Sequence, residues 1–484
     1  MKNSKEYKEK KVSIWLAAIP LVTLVAMLAT TIKVYGADAL NGGSQISLFI
    51  ASSVATIIAI GLCGCRWSDL ERAISENIHT SASAIIILLL IGAISSTWML
   101  SGVVPTLIYY GLQIIHPKVF LLTACLICAA VSLLTGSSWT TIATIGVALM
   151  GIGTAQGFSE GWVAGAIISG AYFGDKVSAL SDTTVLASST ARVPLFEHIK
   201  YMMITTIPSL CIALVVFFVV GLQNNTDSTT QITEITQALQ SRFNITPWLL
   251  VVPIITMLLV VRKLPALITL FISVIAACIA IVVAQGDILR EIGGEGSLYV
   301  FRGLIDICTT STNIKSATPI VDELIATRGM AGMLNTIWLI LCAMCFGGVM
   351  TGSGMLNAIT QLFLRFVHRT VSIVASTVGA GIFYNMCTAD QYISIIITGN
   401  TFRKLYSERG LEARLLSRSV EDSATVTSVL IPWGSCGMTQ STVLGVATIT
   451  YLPYCIFNLV SPLMSIFVAT IGYKIIHKSD KGEE

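Results

Sequence analysis

The sequence predicts an all-α polytopic membrane protein. Hydrophobic residues make up 54% of its 484 positions and charged residues only 11%, whereas soluble domains carry about 25% charged residues. Apolar runs of the ~20 residues needed to cross a bilayer recur along the chain, for example at 13–32 and 265–284. The first run has a long apolar core and no small-residue cleavage site after it, so we interpret it as a retained span rather than a signal peptide.

Composition also excludes several classes of function. The net charge is +3, and no basic patch extends beyond short loop clusters, so we expect no nucleic-acid partner. The twelve cysteines include pairs three residues apart in apolar helices, where cysteine behaves as a small hydrophobic residue. The five histidines fall near predicted membrane edges, away from the buried hydroxyl groups. We therefore expect no enzyme activity, no cofactor and no structural metal site.

A polar stretch near the middle of the chain divides it into two halves that resemble each other. "LSGVVPTLI" from Leu100 resembles "GSGMLNAIT" from Gly352, and "TGSSWTTI" from Thr135 takes the place of "NMCTADQY" from Asn385. "DKVSALS" from Asp175 shares D-x-x-[ST]-x-x-S with "DSATVTS" 247 residues later. The order is the same and the offsets are 252, 250 and 247 residues, which indicates a duplication. We predict a first transmembrane repeat at 1–222, a linker at 223–245 and a second repeat at 246–484.

The charges of the loops predict that the second repeat is inverted. Five lysines precede the first span and should stay in the cytoplasm, because basic loops favour that side. The linker contains one basic residue, Arg242, and is predicted to be external, whereas the cluster from Arg403 to Arg418 and the segment from Lys474 are predicted to be internal. Both termini are then cytoplasmic. The long loop 285–329 fits this scheme least well, since it is placed outside although it carries four basic residues.

Each half is predicted to contain five crossings plus one re-entrant hairpin, with broken helices at mid-membrane. The hairpins turn at "TGSSWTT" and "NMCTADQ", and the interrupted spans contain "GDKVSALSDTT" and "EDSATVTSVLIPWGSCGMTQ". Interrupted helices free backbone groups that only protein or a water-filled cavity can satisfy. Four breaks in corresponding places therefore predict one central site at the interface between the repeats, as in secondary transporters.

Carboxylates within these breaks predict a cation site. Between residues 119 and 190 the charged side chains are Glu160, Asp175, Lys176 and Asp182, and between 370 and 400 there is only Asp390. A charge at the centre of a span costs roughly 2.5–3.5 kcal/mol. A carboxylate among hydroxyls and open carbonyls suits a small, hard cation such as Na⁺, and when desolvated it can hold a proton instead. We predict Na⁺ binding at Asp175, Asp182 and Asp390.

Other polar residues of the breaks are further candidates for an ion or substrate site. They are Ser137, Ser138, Thr140, Asn385, Thr388, Asp422, Thr425 and Ser428. Hydroxyls also cap broken helices, and that alternative stays open for the first hairpin. Lys176 beside Asp175 is either half of a structural ion pair or an internal cation that fills the site when Na⁺ and H⁺ have left.

The first interrupted span also carries a family resemblance. "GAYFGDKVSALSDTTVLASS", followed by "LFEHIKYMMITTIP", resembles the NhaC family of Na⁺/H⁺ antiporters, which includes malate/lactate exchangers. The resemblance implies that the ion site includes Asp175, Ser178, Ser181, Asp182, Thr183 and Thr184. Two departures are Ala179, where the family usually has proline, and Val185, where asparagine is frequent. The second departure removes a polar group next to the motif.

These observations predict a secondary active Na⁺/H⁺ antiporter that works by alternating access, with Na⁺ and H⁺ as its transported ions. The alternative is a Na⁺-coupled exchanger or symporter of a small organic anion or amino acid. A channel would need a continuous polar path, whereas these breaks cluster at one depth. The expected location is the cytoplasmic membrane of a bacterium, where the lipid bilayer is the surrounding partner, and a homodimer is left open.

Overall fold

The computed structural model describes most of the chain as helix. The described residues are 12–35, 42–223, 229–262, 264–316, 321–322, 325–365, 367 and 369–475. Within these ranges, nine helices are long and apolar enough to cross a bilayer, or up to eleven if each of two bent pairs counts as one span. In the same ranges the only β-pairing is an isolated bridge between Thr312 and Thr327. The predicted all-α polytopic class is confirmed.

The described helices follow the order that the apolar runs predict. Those of the first half are Ile14–Tyr35, Gly43–Gly61, Trp67–Leu100, Val103–Ile114, Phe120–Thr135, Ser138–Thr141, Val147–Ala155, Glu160–Val177, Asp182–Ala191 and Leu195–Gln223. Those after residue 223 are Thr229–Arg242, Val251–Val261, Ala266–Ala284, Gly286–Gly293, Tyr299–Thr309, Leu334–Gly352, Met355–Arg365, Thr370–Thr388, Gln391–Glu408, Ala413–Val420, Ser435–Leu444, Thr448–Tyr451 and Ile456–Ile471. The predicted linker and the predicted loop 285–329 therefore both contain helices.

Helices are interrupted at the four predicted places, while the mid-membrane depth of these breaks stays a prediction. The first hairpin consists of Phe120–Thr135 and the helix that restarts at Ser138, and the second consists of Thr370–Thr388 and Gln391–Glu408. The first broken span is Glu160–Val177 with Asp182–Ala191. The second broken span runs from Ala413 through a π-helical turn at Glu421–Thr425 to a restart at Ser435. A π-turn is a local defect that often marks a functional segment.

Equivalent backbone turns recur at one constant spacing. The first helix of each hairpin ends on a residue with left-handed backbone, Gly136 in the first and Ala389 in the second (389 − 136 = 253). A second left-handed residue follows each hairpin, Gly157 after the first and Gly410 after the second. The same spacing relates three further pairs of cap residues, namely His116 and Arg369, Ser159 and Glu412, and Arg192 and Gly445. This agreement supports a duplication, while its inverted orientation, the domain boundaries and the cytoplasmic termini stay predictions.

The constant spacing corrects the residue pairs that the sequence alignment proposed. The offsets of 250 and 247 residues paired Asp390 with Thr140 and Asp175 with Asp422. The backbone instead pairs Asp390 with Ser137, both of which cap the second helix of a hairpin, and places Ser428 opposite Asp175. The positions of equivalent backbone turns define which residues of the two repeats correspond, whereas short stretches of similar sequence can align out of register.

Close contacts join each hairpin to the broken span that follows it. Ser132 Oγ donates to the carbonyl of Ala171 at 2.6 Å, and at the equivalent position Asn385 Nδ2 donates to the carbonyl of Ala424 at 2.7 Å. In the first repeat the helices approach so closely that a Cβ on Gly170 would lie 2.1 Å from the carbonyl oxygen of Cys125. Small residues allow this approach, as is common where membrane helices pack.

Gly170→Val is therefore expected to destabilise the protein, because the added side chain must push apart the hairpin helix and the broken span. We expect loss of monodisperse protein in detergent, measured by size-exclusion chromatography. Gly61→Val is the matched control, because a Cβ at Gly61 meets no atom within 4 Å. Equal yield and elution of the two variants would contradict the close packing described above.

Candidate functional site

Each hairpin turns through a hydroxyl-rich tip with the same hydrogen bonds. Ser137 Oγ accepts from the backbone N–H of Thr140 at 3.2 Å, and Asp390 Oδ1 accepts from the backbone N–H of Ile393 at 3.0 Å. Thr388 Oγ1 accepts from the Asp390 amide at 3.3 Å and lies 3.0 Å from Ser394 Oγ. Thr140 Oγ1 also donates to Ser137 Oγ at 3.1 Å. Ser137 and Asp390 thus cap the second helix of their hairpins, which is the structural alternative to ion binding for the polar groups of the tips.

Asp175 lies where the first hairpin meets the first broken span. Its side chain is buried, and Oδ2 accepts from the backbone N–H of Ser138 at 3.1 Å and from Ser138 Oγ at 2.7 Å. The carboxylate therefore sits at the start of the second hairpin helix, where the helix dipole favours negative charge. At the equivalent place in the second repeat, Ser428 Oγ donates to Gln391 Oε1 at 3.2 Å, so that repeat has a neutral pair there.

Asp390 is the buried carboxylate of the second hairpin. Besides capping its helix, it accepts from Ser81 Oγ through Oδ2 at 3.4 Å. Ser81 lies in the long helix Trp67–Leu100, and sequence reasoning missed it because no break marks that helix.

Asp182 differs from the other predicted Na⁺ ligands. It is the first residue of Asp182–Ala191 and its side chain is exposed. Within the part of the chain that the structure describes, no three His, Cys, Asp or Glu side chains converge as a metal cluster. Asp175, Asp182 and Asp390 therefore do not form one three-carboxylate site in this conformation.

Lys176 forms its ion pair with Asp422, not with its neighbour Asp175. The Lys176 ammonium contacts Asp422 Oδ1, and both side chains are fully buried. Thr205 Oγ1 lies 2.9 Å from Oδ2, and Ser461 Oγ lies 3.0 Å from Oδ1. Asp422 is thus occupied by a lysine from the other repeat and by two hydroxyls. Sequence reasoning missed this pairing because the partners are 246 residues apart.

The hydroxyl groups that the family resemblance assigns to the ion site form hydrogen bonds at the first broken span and with the segments next to it. Ser178 Oγ donates to the carbonyl of Leu133 at 2.8 Å, and Ser181 Oγ accepts from the backbone N–H of Thr184 at 3.4 Å. Thr184 Oγ1 donates to the carbonyl of Lys176 at 3.0 Å. Thr183 Oγ1 reaches Glu421 Oε1 at 3.5 Å. Ser181 and Thr184 thus bond within the first broken span, whereas Ser178 links that span to the first hairpin and Thr183 links it to the second broken span.

The second broken span and the second hairpin beside it contain buried side-chain oxygen atoms that have no hydrogen-bond partner among the described residues. These atoms include Asn385 Oδ1, Thr425 Oγ1 and Glu421 Oε2. Glu421 is fully buried and was not predicted, although the acidic pair Glu421 and Asp422 inside an apolar span was a visible signal. Unsatisfied buried oxygens are costly, and oxygen atoms of this kind are what a hard cation requires.

The fold and the site define a multi-pass α-helical membrane protein with buried carboxylates at helix breaks. The profile of the Na⁺/H⁺ antiporter family matches residues 170–473. The chain is 36% identical to the Na⁺/H⁺ antiporter NhaC of Bacillus subtilis over 430 residues, which cover 88% of this chain and 92% of that protein. It is 34% identical to NhaC of Alkalihalophilus pseudofirmus over 466 residues, which cover 96% and 97% of the two chains.

A third relative bears on the substrate. The malate-2H⁺/Na⁺-lactate antiporter of Bacillus subtilis is 34% identical over 432 residues, covering 88% of this chain and 89% of that protein. The chain belongs to the Na⁺/H⁺ antiporter family, and the resemblance inferred from the first broken span is confirmed. These relatives are antiporters, which agrees with the expectation that the protein is not an enzyme.

Proposed function

We propose that the protein is a secondary active Na⁺/H⁺ antiporter in which Na⁺ and H⁺ compete for Asp175 and Asp390. The observation that carries this proposal is the difference between the buried carboxylates. Asp422 has Lys176 as its counter-ion. Among the described residues, no Lys, Arg or His forms a salt bridge with Asp175 or Asp390, although both are buried.

An unpaired carboxylate at this depth is unstable unless a proton or a cation neutralises it. Asp175 is surrounded by hydroxyl and carbonyl groups of a helix break, and Asp390 by those of a hairpin tip. Both environments supply oxygen ligands to Na⁺, while either carboxylate can take up a proton when Na⁺ leaves. Because one group holds one ion at a time, inward movement of one ion is exchanged for outward movement of the other.

Alternating access follows if the hairpins and broken spans move as units against the rest of the protein. Asp182 is exposed at the start of the second segment of its span, so its proposed role is to attract a cation toward Asp175. Asn385 and Thr425 are proposed to contribute oxygen ligands where the second hairpin meets the second broken span. Lys176 is proposed to pair with Asp422 in this conformation rather than to replace Na⁺ at Asp175.

The second candidate function is Na⁺-coupled exchange of a small organic anion or amino acid. It is favoured by the malate/lactate relative, whose match covers most of both chains, and by Val185, which departs from the asparagine frequent in the family. Such a carrier moves ions only when its organic solute is present. The two functions therefore differ in whether exchange requires that solute.

Transport by purified protein in liposomes tests the proposal. Na⁺-driven proton efflux is expected without any organic solute. Below the apparent pKa of the competing carboxylates, each Na⁺ must displace a bound proton. The Na⁺ concentration for half-maximal rate should therefore rise about tenfold for each unit by which the pH falls, per proton displaced. Above that pKa it should be independent of pH. Empty liposomes are the control, and proton flux that needs added malate, lactate or an amino acid would favour the second candidate.

A further inference from the structure

Asp422 lies between two buried cations. Lys176 contacts its Oδ1, and Arg418 Nε lies 4.0 Å from its Oδ2. Lys176 forms no salt bridge with another acidic residue among the described residues, and it donates its other hydrogen bond to Ser461 Oγ at 3.0 Å. Thr205 is the only described hydroxyl that contacts Oδ2. Oδ2 therefore retains capacity for a further donor, and Arg418 is the cation nearest to it.

Arg418 is buried without a hydrogen bond. Its side chain is fully buried, and none of Nε, Nη1 and Nη2 has a partner in the described structure. The guanidinium carbon lies 4.9 Å from the centre of the Tyr201 ring, and this cation–π contact is weaker than a full set of hydrogen bonds. A guanidinium has five N–H donors, so leaving it without acceptors away from water is costly.

The first repeat lacks this charged helix face. Arg414, Arg418 and Asp422 lie four residues apart on the second broken span, and at the constant repeat spacing they correspond to Gly161, Gly165 and Ser169. In the first repeat the chain packs closely instead, since a Cβ on Gly165 would lie 2.3 Å from the carbonyl oxygen of Tyr454. The charges are therefore an addition confined to one repeat.

Lys176 is placed so that a movement of the first broken span would separate it from Asp422. It follows Asp175 directly and lies in the last turn of Glu160–Val177, one residue before that helix ends. Any shift of the first break that accompanies a change at Asp175 also displaces the Lys176 ammonium. If Lys176 moves away, Asp422 is left buried without a counter-ion, and breaking a buried pair in this way is strongly unfavourable.

We propose that Lys176 and Arg418 are alternative partners of Asp422, and that Arg418 pairs with it when Lys176 withdraws. Arg418 then acts as a positioning residue, because it keeps Asp422 neutralised while the first broken span moves. In the present conformation Lys176 contacts Asp422, whereas Arg418, with its Nε 4.0 Å from Oδ2, makes no hydrogen bond to it. The transport consequence rests on the proposed function, whereas the exchange of partners itself does not.

A double-mutant cycle on the purified full-length protein in detergent tests the exchange of partners. Melting temperatures are measured for the wild type, Lys176→Met, Arg418→Met and the double variant. Each single variant leaves Asp422 with one cation, but the double variant leaves it with none. The melting temperature of the double variant is therefore expected to fall by more than the sum of the two single shifts.

Arg414 supplies the matched control. It stacks on the same Tyr201 ring at 4.8 Å, but its ion partners are Glu197 and Glu412 rather than Asp422. Lys176→Met combined with Arg414→Met should therefore give additive shifts. Additive shifts in the Arg418 cycle as well would overturn the proposal. If the double variant does not fold, adding Asp422→Asn should restore folded protein, and failure to restore it would also overturn the proposal.

Transport gives a second readout that a purely structural arginine would not change. Arg418→Met should lower the maximal exchange rate and leave the half-saturating Na⁺ concentration near that of the wild type, because the ion sites are intact but Lys176 has no substitute. Arg418→Lys should recover part of the rate, since it restores a cation. A wild-type maximal rate in Arg418→Met would overturn the positioning role. Absence of transport in the wild type would contradict the proposed function and leave the melting cycle as the test of partner exchange.

Discussion

Replacing Asp175 with asparagine is expected to abolish Na⁺-dependent proton movement while leaving a folded protein. The amide Oδ1 can still accept from the amide and hydroxyl of Ser138, which bond Asp175 Oδ2 at 3.1 and 2.7 Å. It cannot, however, alternate between a bound proton and a bound cation. Removing an uncompensated charge from a span also relieves a cost of roughly 2.5–3.5 kcal/mol, so thermal stability should be equal to or above that of the wild type.

The measurement is Na⁺-driven exchange in liposomes together with the melting temperature in detergent. Asp390→Asn should behave in the same way, because Asp390 is also buried and unpaired. Asp182→Asn is the matched control: its carboxylate is exposed, so we expect a weaker apparent affinity for Na⁺ but measurable exchange. Exchange at the wild-type rate in Asp175→Asn would remove that carboxylate from the mechanism.

Replacing Asp422 with asparagine is expected to have the opposite pattern, with loss of stability as its main effect. The substitution leaves Lys176 and Arg418 buried without a counter-ion, and Lys176 contacts no other carboxylate among the described residues. Breaking a buried ion pair by removing one partner costs about 3–5 kcal/mol. The hydroxyls of Thr205 and Ser461 can still bond the amide, so lost charge compensation accounts for most of that cost.

This loss should appear as a lower melting temperature and a lower yield of monodisperse protein. Lys176→Met combined with Asp422→Asn is the informative control, because it removes both members of the pair and should recover part of the lost stability. A melting temperature of Asp422→Asn equal to that of Asp175→Asn would contradict the distinction between paired and unpaired carboxylates.

The two substitutions therefore separate two kinds of buried aspartate that look alike in the sequence. Both Asp175 and Asp422 lie in interrupted spans and precede a similar pattern of hydroxyl residues. Only the structure shows that Lys176, adjacent to Asp175 in the chain, forms its ion pair with Asp422 instead. A helix directs consecutive side chains about 100° apart, so neighbours in sequence need not share partners.

The sequence by itself determined the class of the protein, the location of its four breaks and the family to which it belongs. Those features depend on local properties: apolar length, breaks rich in Gly, Ser and Thr, and a contiguous motif from Gly170 to Ser189. Glu421 lay within reach of the same reasoning, since two acidic residues in an apolar span are a visible signal.

Only the tertiary structure decided the register of the repeats and the contacts that give each charge its role. Ser81, Thr205 and Ser461 belong to helices outside the four predicted breaks, so no break marks them as partners of buried carboxylates. The spacing of 253 residues between Gly136 and Ala389 became visible through their shared left-handed backbone rather than through shared letters. The partner of a buried charge is set by which helices pack against it, and packing between distant segments is not encoded in any short stretch of the chain.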